Sequence, residues 1–490
     1  MKQCTKFYLD GRWGEPHGQR TLDVINPATE QAVGTVRMGD ANDVDAAVAA
    51  ARAAFPIYSQ STREARIALL ESVQTAYQHR FADMVAAIST EMGAPLWLCE
   101  QAQAAMGAGH IAFSLEALKQ LALEEHRGTT IIRREPVGVC ALITPWNWPM
   151  NQVTCKVIPA LAAGCTMVLK PSEIAPLSAT LFAEILHDAG LPAGVFNLVH
   201  GDGPGAGAAL SAHPGVDMVS FTGSTSAGIE VAKAAASTVK RVAQELGGKS
   251  PNILLDDADF AIAVPGGVQG IMLNSGQSCN APSRMLVPAS RHDEAVAIAT
   301  ATVAAMKVGD PTQADTSIGP VVSERQYDRI QGLIQAGIAE GATVACGGPG
   351  RPEGVGAGYF VRPTVFANVR NDMRIAREEI FGPVLCIIPY STDAEAIAMA
   401  NDSLYGLSSY VSGKDAVRVQ KIVSALRAGM VHVNGAGIDL NAPFGGYKQS
   451  GNGREWGAFG LHDFLEVKAV MNPATGAMHP SKQATRVSPW

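Results

Sequence analysis

The chain has 490 residues, 47% hydrophobic and 17% charged, a globular composition that leaves no room for extensive disorder except at the ends. At this length one core is not enough, and two or three domains are expected. A net charge of −7 with no basic run argues against nucleic acid as the main partner.

The opening segment "MKQCTKFYLDGRWGEP" has no apolar stretch after its lysines and does not read as a signal peptide. The longest apolar run, Val157 to Leu169, is too short to span a bilayer and contains Pro159 and Gly164. A soluble cytoplasmic protein with no membrane partner is therefore expected. The eight cysteines form no Cys-x-x-Cys, and no His or Cys cluster has zinc spacing. Neither a disulfide framework nor a metal is expected, and most of these cysteines read as plain core residues.

Residues 41–125 read as alanine-rich helices, opened by the capping residues of "DANDVDAAVAAARAAF" and punctuated by Gly93 and Pro95. "GTTIIRREP" reads as a short extended segment. Strands and helices then alternate. "VGVCALITP", "CTMVLKPSE", "VFNLVHG", "VDMVSFTGS" and "VKRVAQELGG" read as strands, with helices between them. That spacing predicts a parallel, doubly wound α/β sheet. A second α/β stretch begins near "SPNILLDDADF" and includes helices at "DEAVAIATATVAAM", "ERQYDRIQGLIQAGIAEG" and "DAVRVQKIVSALRAG". "DFLEVKAVMN" is strand-like, and "ATGAMHPSKQATRVSPW" reads as a tail.

Two glycine-rich turns invite a phosphate. "GDGPGA", Gly201 to Ala206, satisfies G-x-G-x-x-[GA], but it follows the third strand of the series and carries Pro204. A tight strand-to-helix turn is the better account of it. In "FTGSTSAG", Gly223 and Ser224 open a helix whose amides could hold a phosphate. An ordinary serine N-cap accounts for the same pattern.

Four segments carry candidate chemistry: "PWNWP" with Asn147, "KPSE" with Lys170 and Glu173, "QELGGKSPN" with Glu245, and "NSGQSCNAP" with Cys279. The first three fall after strands, at the carboxyl edge where open α/β sheets bind ligands. Taken singly, Asn147 reads as a turn residue, Glu245 as a strand-end charge and Cys279 as a small side chain. Together, and with "INPATEQAVGTV", "REEIFGPVL", "NDSLYGLSSYV" and "PFGGYKQSGNGRE", they resemble the aldehyde dehydrogenase superfamily, in its hydrolytic, NAD(P)-dependent branch.

The resemblance implies a mechanism. Cys279 would be the nucleophile, the Asn147 amide and the Cys279 backbone N–H would stabilise an oxyanion, and Glu245 would activate water to hydrolyse a thioester. NAD would be the cofactor, with NADP as the alternative. Lys170 and Glu173 match adenosine-ribose contacts, Ser172 between them is a further cofactor-binding position, and a carboxylate at Glu173 favours NAD by repelling a 2′-phosphate. Gly223 and Ser224 match pyrophosphate contacts, while Ile143, Thr144, Trp146 and Leu246 would line the groove. Glu379 and Phe381 match the positions that hold the nicotinamide ribose and ring. Lys156 and Glu455 match positions tied to water and proton traffic, although a buried charge pair accounts for them equally well.

The resemblance also implies an architecture: two Rossmann-like α/β domains and a small β oligomerisation element. Residues 1–117 and 137–248 would bind NAD, 249–463 would form the catalytic domain, and 118–136 with 464–490 the oligomerisation element. Lone β-arms rarely persist unpaired, so a homodimer or homotetramer is expected. An aldehyde would reach Cys279 past Trp148, Gln152, Cys155, Ser278, Asn280, Ile438 and Phe444. This set has no Arg or Lys to clamp a distal carboxylate, which favours a neutral or aromatic aldehyde over a dicarboxylic semialdehyde. Cys155 stands where a bulky aromatic is frequent and suggests a wider tunnel. Trp97 reads as a core residue that could also reach the mouth. The rival readings are a CoA-acylating enzyme, against which Glu245 argues, and a non-catalytic relative that serves as a binding protein.

Overall fold

The computed structural model describes residues 2–472. The tail "ATGAMHPSKQATRVSPW" lies outside them. Near the N-terminus, Lys2–Cys4, Thr21–Asn26 and Gln31–Arg37 make a three-stranded sheet, while Phe7–Leu9 and Arg12–Gly14 form a hairpin. The expected helices follow as Ala41–Tyr58, Arg63–His79, Phe81–Met92 and Ala104–Gln120. Asp40 and Asp43 close a reciprocal capping box at the first of them. The helical run stops earlier than the alanine pattern suggested, because Glu124–Arg127 is already a strand.

The alternating series builds an eight-stranded sheet. Val139–Ile143, Thr166–Lys170, Phe196–Leu198, Met218–Thr222 and Arg241–Glu245 run parallel in it, in the spatial order 241–245, 218–222, 139–143, 166–170, 196–198. Four of these strands are buried along their whole length, as expected where helices cover both faces of a parallel sheet. The hairpin extends one edge. At the other, Gly451–Asn452 returns from late in the chain and pairs antiparallel with Arg241–Glu245, setting Gly451 opposite Glu245.

A seven-stranded sheet forms from the second α/β stretch. Pro251–Leu254, Arg284–Pro288, Thr364–Ala367, Val384–Tyr390, Ser408–Ser412 and Met430–Val433 run parallel in it, and Thr343–Cys346 pairs antiparallel with Thr364–Ala367 at one edge. The expected helices Glu324–Ala339 and Ala416–Ala425 are present. The two extended segments meet as anticipated. Leu465–Met471 pairs antiparallel with Thr130–Pro136, and Glu124–Arg127 completes this small sheet.

Candidate active site

The loop before Cys279 has an unusual backbone. Asn274, Ser275 and Gly276 all have left-handed φ, at 54°, 56° and 73°. Only at Gly276 is glycine obligatory for space as well, since a Cβ there would lie 2.0 Å from the Gly382 carbonyl oxygen. Side chains hold this strained loop. Asn274 Nδ2 donates to the carbonyls of Asn147 and Gln277, at 2.9 and 3.2 Å. Gln103 Nε2 donates to Asn147 O at 3.1 Å and to Asn274 Oδ1 at 3.0 Å. Gln277 Oε1 accepts from Val322 N–H at 2.9 Å. The Asn147 side chain joins the same web, its Nδ2 donating to Gln277 O at 3.0 Å. One amide hydrogen of Asn147 is thus committed, and the geometry leaves a second on the same nitrogen.

Cys279 is half-buried beside this web. Burial pushes its thiol up from the ordinary range, and the nearby charges of Glu245 and Glu379 add to the effect. The backbone N–H groups of Cys279 and Asn280 act the other way. Glu245 ends its strand almost fully buried, with no hydrogen-bond partner on either oxygen among the described residues. Burial, reinforced by Glu455 and opposed by Lys156 and Arg454, holds its carboxyl well above the usual carboxylate range. Lys156 and Glu455 form a buried ion pair, and Cys155 Sγ donates to the second oxygen of Glu455 at 3.3 Å.

A cavity of about 1080 Å³ opens onto Cys279. Trp148, Gln152, Ser278, Asn280, Ile438 and Phe444 all line it, together with Met106 and Trp456. Trp148 Nε1 donates to Ser278 Oγ at 2.8 Å, and Phe444 packs on Trp456 with ring centroids 4.3 Å apart. Cys155 is not part of this wall. Its side chain lies behind it, against Glu455 and among Leu407, Phe444 and Trp456. Trp97 packs in the core, with Nε1 donating to Thr316 O at 2.9 Å. Exposed Lys414 and Asp259 border the cavity as well, so one cation is present that the tunnel set did not contain.

The groove residues gather at the carboxyl edge of the eight-stranded sheet. Lys170 Nζ is buried and donates to Gly201 O at 2.7 Å and to Glu173 at 3.4 Å. Ser172 Oγ accepts from Ile174 N–H at 3.3 Å. Ser224 caps the helix Thr225–Ala236 by accepting from Ala227 N–H, with Gly223 just before it. "GDGPGA" is a turn in which Asp202 accepts from Gly205 N–H at 2.7 Å. Leu246 packs with Ile143 in the core under this edge. Glu379 accepts from Gly248 N–H at 2.9 Å, and burial pushes its carboxyl up to about 7. Phe381 has a left-handed φ of 58° and sets its ring edge-on to Trp146 at 5.4 Å. Thr144 Oγ1 and Thr222 Oγ1 are buried with no partner among the described residues. Orphaned hydroxyls at this edge fit a polar ligand such as a dinucleotide.

Sequence reasoning missed Gln103, which no local motif marks, and gave no role to Asn274, although it opens the segment "NSGQSCNAP". It also missed Lys249, buried and unpaired among the described residues, whose ammonium burial pushes down to about 8. Among the described residues no group of three or more His, Cys, Asp or Glu could hold a metal, and no helix is long and apolar enough to cross a membrane.

Two α/β sheets, orphaned hydroxyls at the carboxyl edge of one of them and a half-buried thiol in a cavity fit the class of dinucleotide-dependent oxidoreductases. The sequence profile of the aldehyde dehydrogenase family matches residues 13–470, and the chain belongs to that family. It is 57% identical to 3-succinoylsemialdehyde-pyridine dehydrogenase of a Pseudomonas species, over 96% of this chain and 99% of that one. Its structure resembles aldehyde dehydrogenase C of Pseudomonas syringae, a cysteine-to-alanine variant complexed with NAD+ and octanal, at a TM-score of 0.95, 53% identity and 96% coverage of each chain. The Mycobacterium tuberculosis aldehyde dehydrogenase complexed with NAD+ is similar at a TM-score of 0.94 and 42% identity, over 97% of this chain and 100% of that one. Family membership makes the chain an aldehyde-oxidising enzyme, and both of these solved relatives were complexed with NAD+.

Proposed function

We propose that the chain converts a neutral or aromatic aldehyde into its carboxylic acid, with Cys279 as nucleophile, Asn147 as oxyanion donor and Glu245 as the base that activates water. The observation that carries this reading is the web joining Asn147 to the Cys279 loop, together with a buried Glu245 that has no partner on either oxygen among the described residues and whose charge is felt at the thiol. The Cys279 sulfur bonds to the aldehyde carbon as the thiol proton is lost to solvent in the cavity. The free Nδ2 hydrogen of Asn147 and the Cys279 N–H then share the charge on oxygen. NAD, when bound, accepts the hydride that leaves this carbon. The thioester that remains is attacked by water. Glu245 takes the water's proton, the C–S bond breaks, and Cys279 is restored. Lys156 and Glu455 would pass protons between Glu245 and solvent.

Lys170, Ser172 and Glu173 would hold the adenosine ribose, and Gly223 with Ser224 the pyrophosphate. Glu379 and Phe381 would fix the nicotinamide ribose and ring, with Ile143, Thr144, Trp146 and Leu246 along the groove. We assign cofactor binding to 1–117 and 137–248, catalysis to 249–463, and oligomerisation to 118–136 with 464–490. Support for a dimer or tetramer is the outer edge of Leu465–Met471, unpaired among the described residues, where Val467 and Met471 are exposed. Unbridged Cys99, Cys140, Cys155, Cys165, Cys279, Cys346 and Cys386 support a reducing compartment such as the cytoplasm.

A neutral substrate is supported by the aromatic and amide side chains that line the cavity with Cys279, by the pyridine in the name of one relative and by the octanal bound to another. The test is NADH production across aliphatic, aromatic and semialdehyde substrates, without CoA and with NAD or NADP. Turnover of neutral aldehydes with NAD alone supports the reading. A requirement for CoA would replace it with the acylating reaction.

A further inference from the structure

We propose that Tyr410 is a positioning residue for the nucleophile, its hydroxyl holding the Asn280 carbonyl so that the chain just after Cys279 keeps a single orientation. This rests on the assignment of Cys279 as nucleophile. The strand Ser408–Ser412 runs parallel between Pro251–Leu254 and Met430–Val433. The register sets Tyr410 beside Asn252 on one side and His432 on the other, and all three border the cavity that contains Cys279.

The tyrosine ring is held before its hydroxyl acts. His432 stacks on it, with centroids 4.7 Å apart and planes 13° apart. His432 is itself fixed, because its Nδ1 lies 3.0 Å from the Ala436 carbonyl and must donate to it. The Tyr410 hydroxyl then donates to Asn280 O at 2.9 Å. Burial pushes this phenol up to about 12, so it keeps its proton through the neutral range and remains a donor.

The target of that bond matters for the thiol. The N–H groups of Cys279 and Asn280 favour the thiolate, against burial and the charges of Glu245 and Glu379. Their aim depends on the torsions around residues 279–280. One side of this turn is held by backbone packing, since a Cβ at Gly248 would lie 2.1 Å from the Cys279 carbonyl oxygen. Tyr410 holds the side facing the cavity. A residue that merely walled the cavity would need no hydroxyl aimed at this carbonyl.

Tyr410→Phe keeps the ring and removes only the hydroxyl. The expected result is a kcat lower by about three- to tenfold, the worth of one hydrogen bond, with the aldehyde KM unchanged. The pH midpoint for iodoacetamide alkylation of Cys279 should rise by about half a unit. His432→Ala, which removes the stack, should move both readouts the same way and carries the test if Tyr410→Phe does not fold. A raised KM with unchanged kcat and alkylation midpoint would make Tyr410 a cavity wall and overturn the proposal, as would parental behaviour in every readout. Cys279→Ala is measured alongside. If it retains turnover, the assignment of the nucleophile fails; if it is inactive, a null result at Tyr410 counts against the positioning role alone.

Discussion

Asn147 and Gln277 are joined by a hydrogen bond of 3.0 Å from the asparagine amide to a backbone carbonyl two residues before Cys279. The bond couples the proposed oxyanion donor to the loop that carries the thiol. Asn147→Ala removes both the donor and this tie. It should lower kcat by about 100- to 1000-fold, the range for loss of one oxyanion donor, with a smaller change in KM. Steady-state kinetics check this.

Glu245 is buried with no partner on either oxygen among the described residues, and burial reinforced by the charge of Glu455 makes its carboxyl release its proton above the usual carboxylate range. If it activates water, turnover rises with pH as that proton leaves, and the acid limb lies above the ordinary glutamate value of about 4.3. Glu245→Gln should still give a rapid first burst of NADH, because acylation precedes water attack, followed by a near-halt. Stopped-flow absorbance resolves the two phases.

The same shift has a consequence for stability. A carboxyl whose folded pKa is raised stays protonated in the fold while the unfolded chain ionises, so stability falls as pH rises from the unfolded toward the folded value. Removing Glu245 removes this loss. The melting temperature of Glu245→Gln, taken relative to the parent, should therefore be higher at pH 8 than at pH 5.

Lys156 and Glu455 are buried together as an ion pair, with Cys155 donating to the same carboxylate. Breaking such a pair strands a charge, at a cost of about 3–5 kcal/mol. Lys156→Met and Glu455→Gln should each destabilise the fold by that order, and the double variant by clearly less than the sum. Urea unfolding of the four proteins completes the cycle.

Glu173 lies next to Lys170 at the groove edge. If its charge repels a 2′-phosphate, Glu173→Gln should shrink the preference for NAD over NADP by about tenfold in kcat/KM. Kinetics with both dinucleotides measure the ratio.

Much of this architecture is legible in the sequence because parallel strands covered on both faces must be written as short unbroken apolar runs. Val139–Ile143 and Thr166–Lys170 are plain examples, and the motif residues fall just after them. What is not legible depends on distant pairings. Gln103 reaches Asn274 across 171 positions, and no local pattern reports such a bond. The return of Gly451 to Glu245 is equally silent, being one short antiparallel contact. Cys155 shows a subtler limit. It lies on the same helix and the same face as Gln152, Pro149–Ala163, so the helical period puts both toward the cavity; its sulfur instead meets Glu455, 300 positions away, while Gln152 borders the cavity.

The central claim is that the substrate becomes covalently attached to Cys279. The direct measurement is peptide mass spectrometry of Glu245→Gln, quenched seconds after mixing with NAD and octanal. The account predicts an octanoyl thioester on the peptide containing Cys279 and on no other cysteine. An unmodified Cys279 after a full NADH burst, or an acyl group on another cysteine, would contradict it.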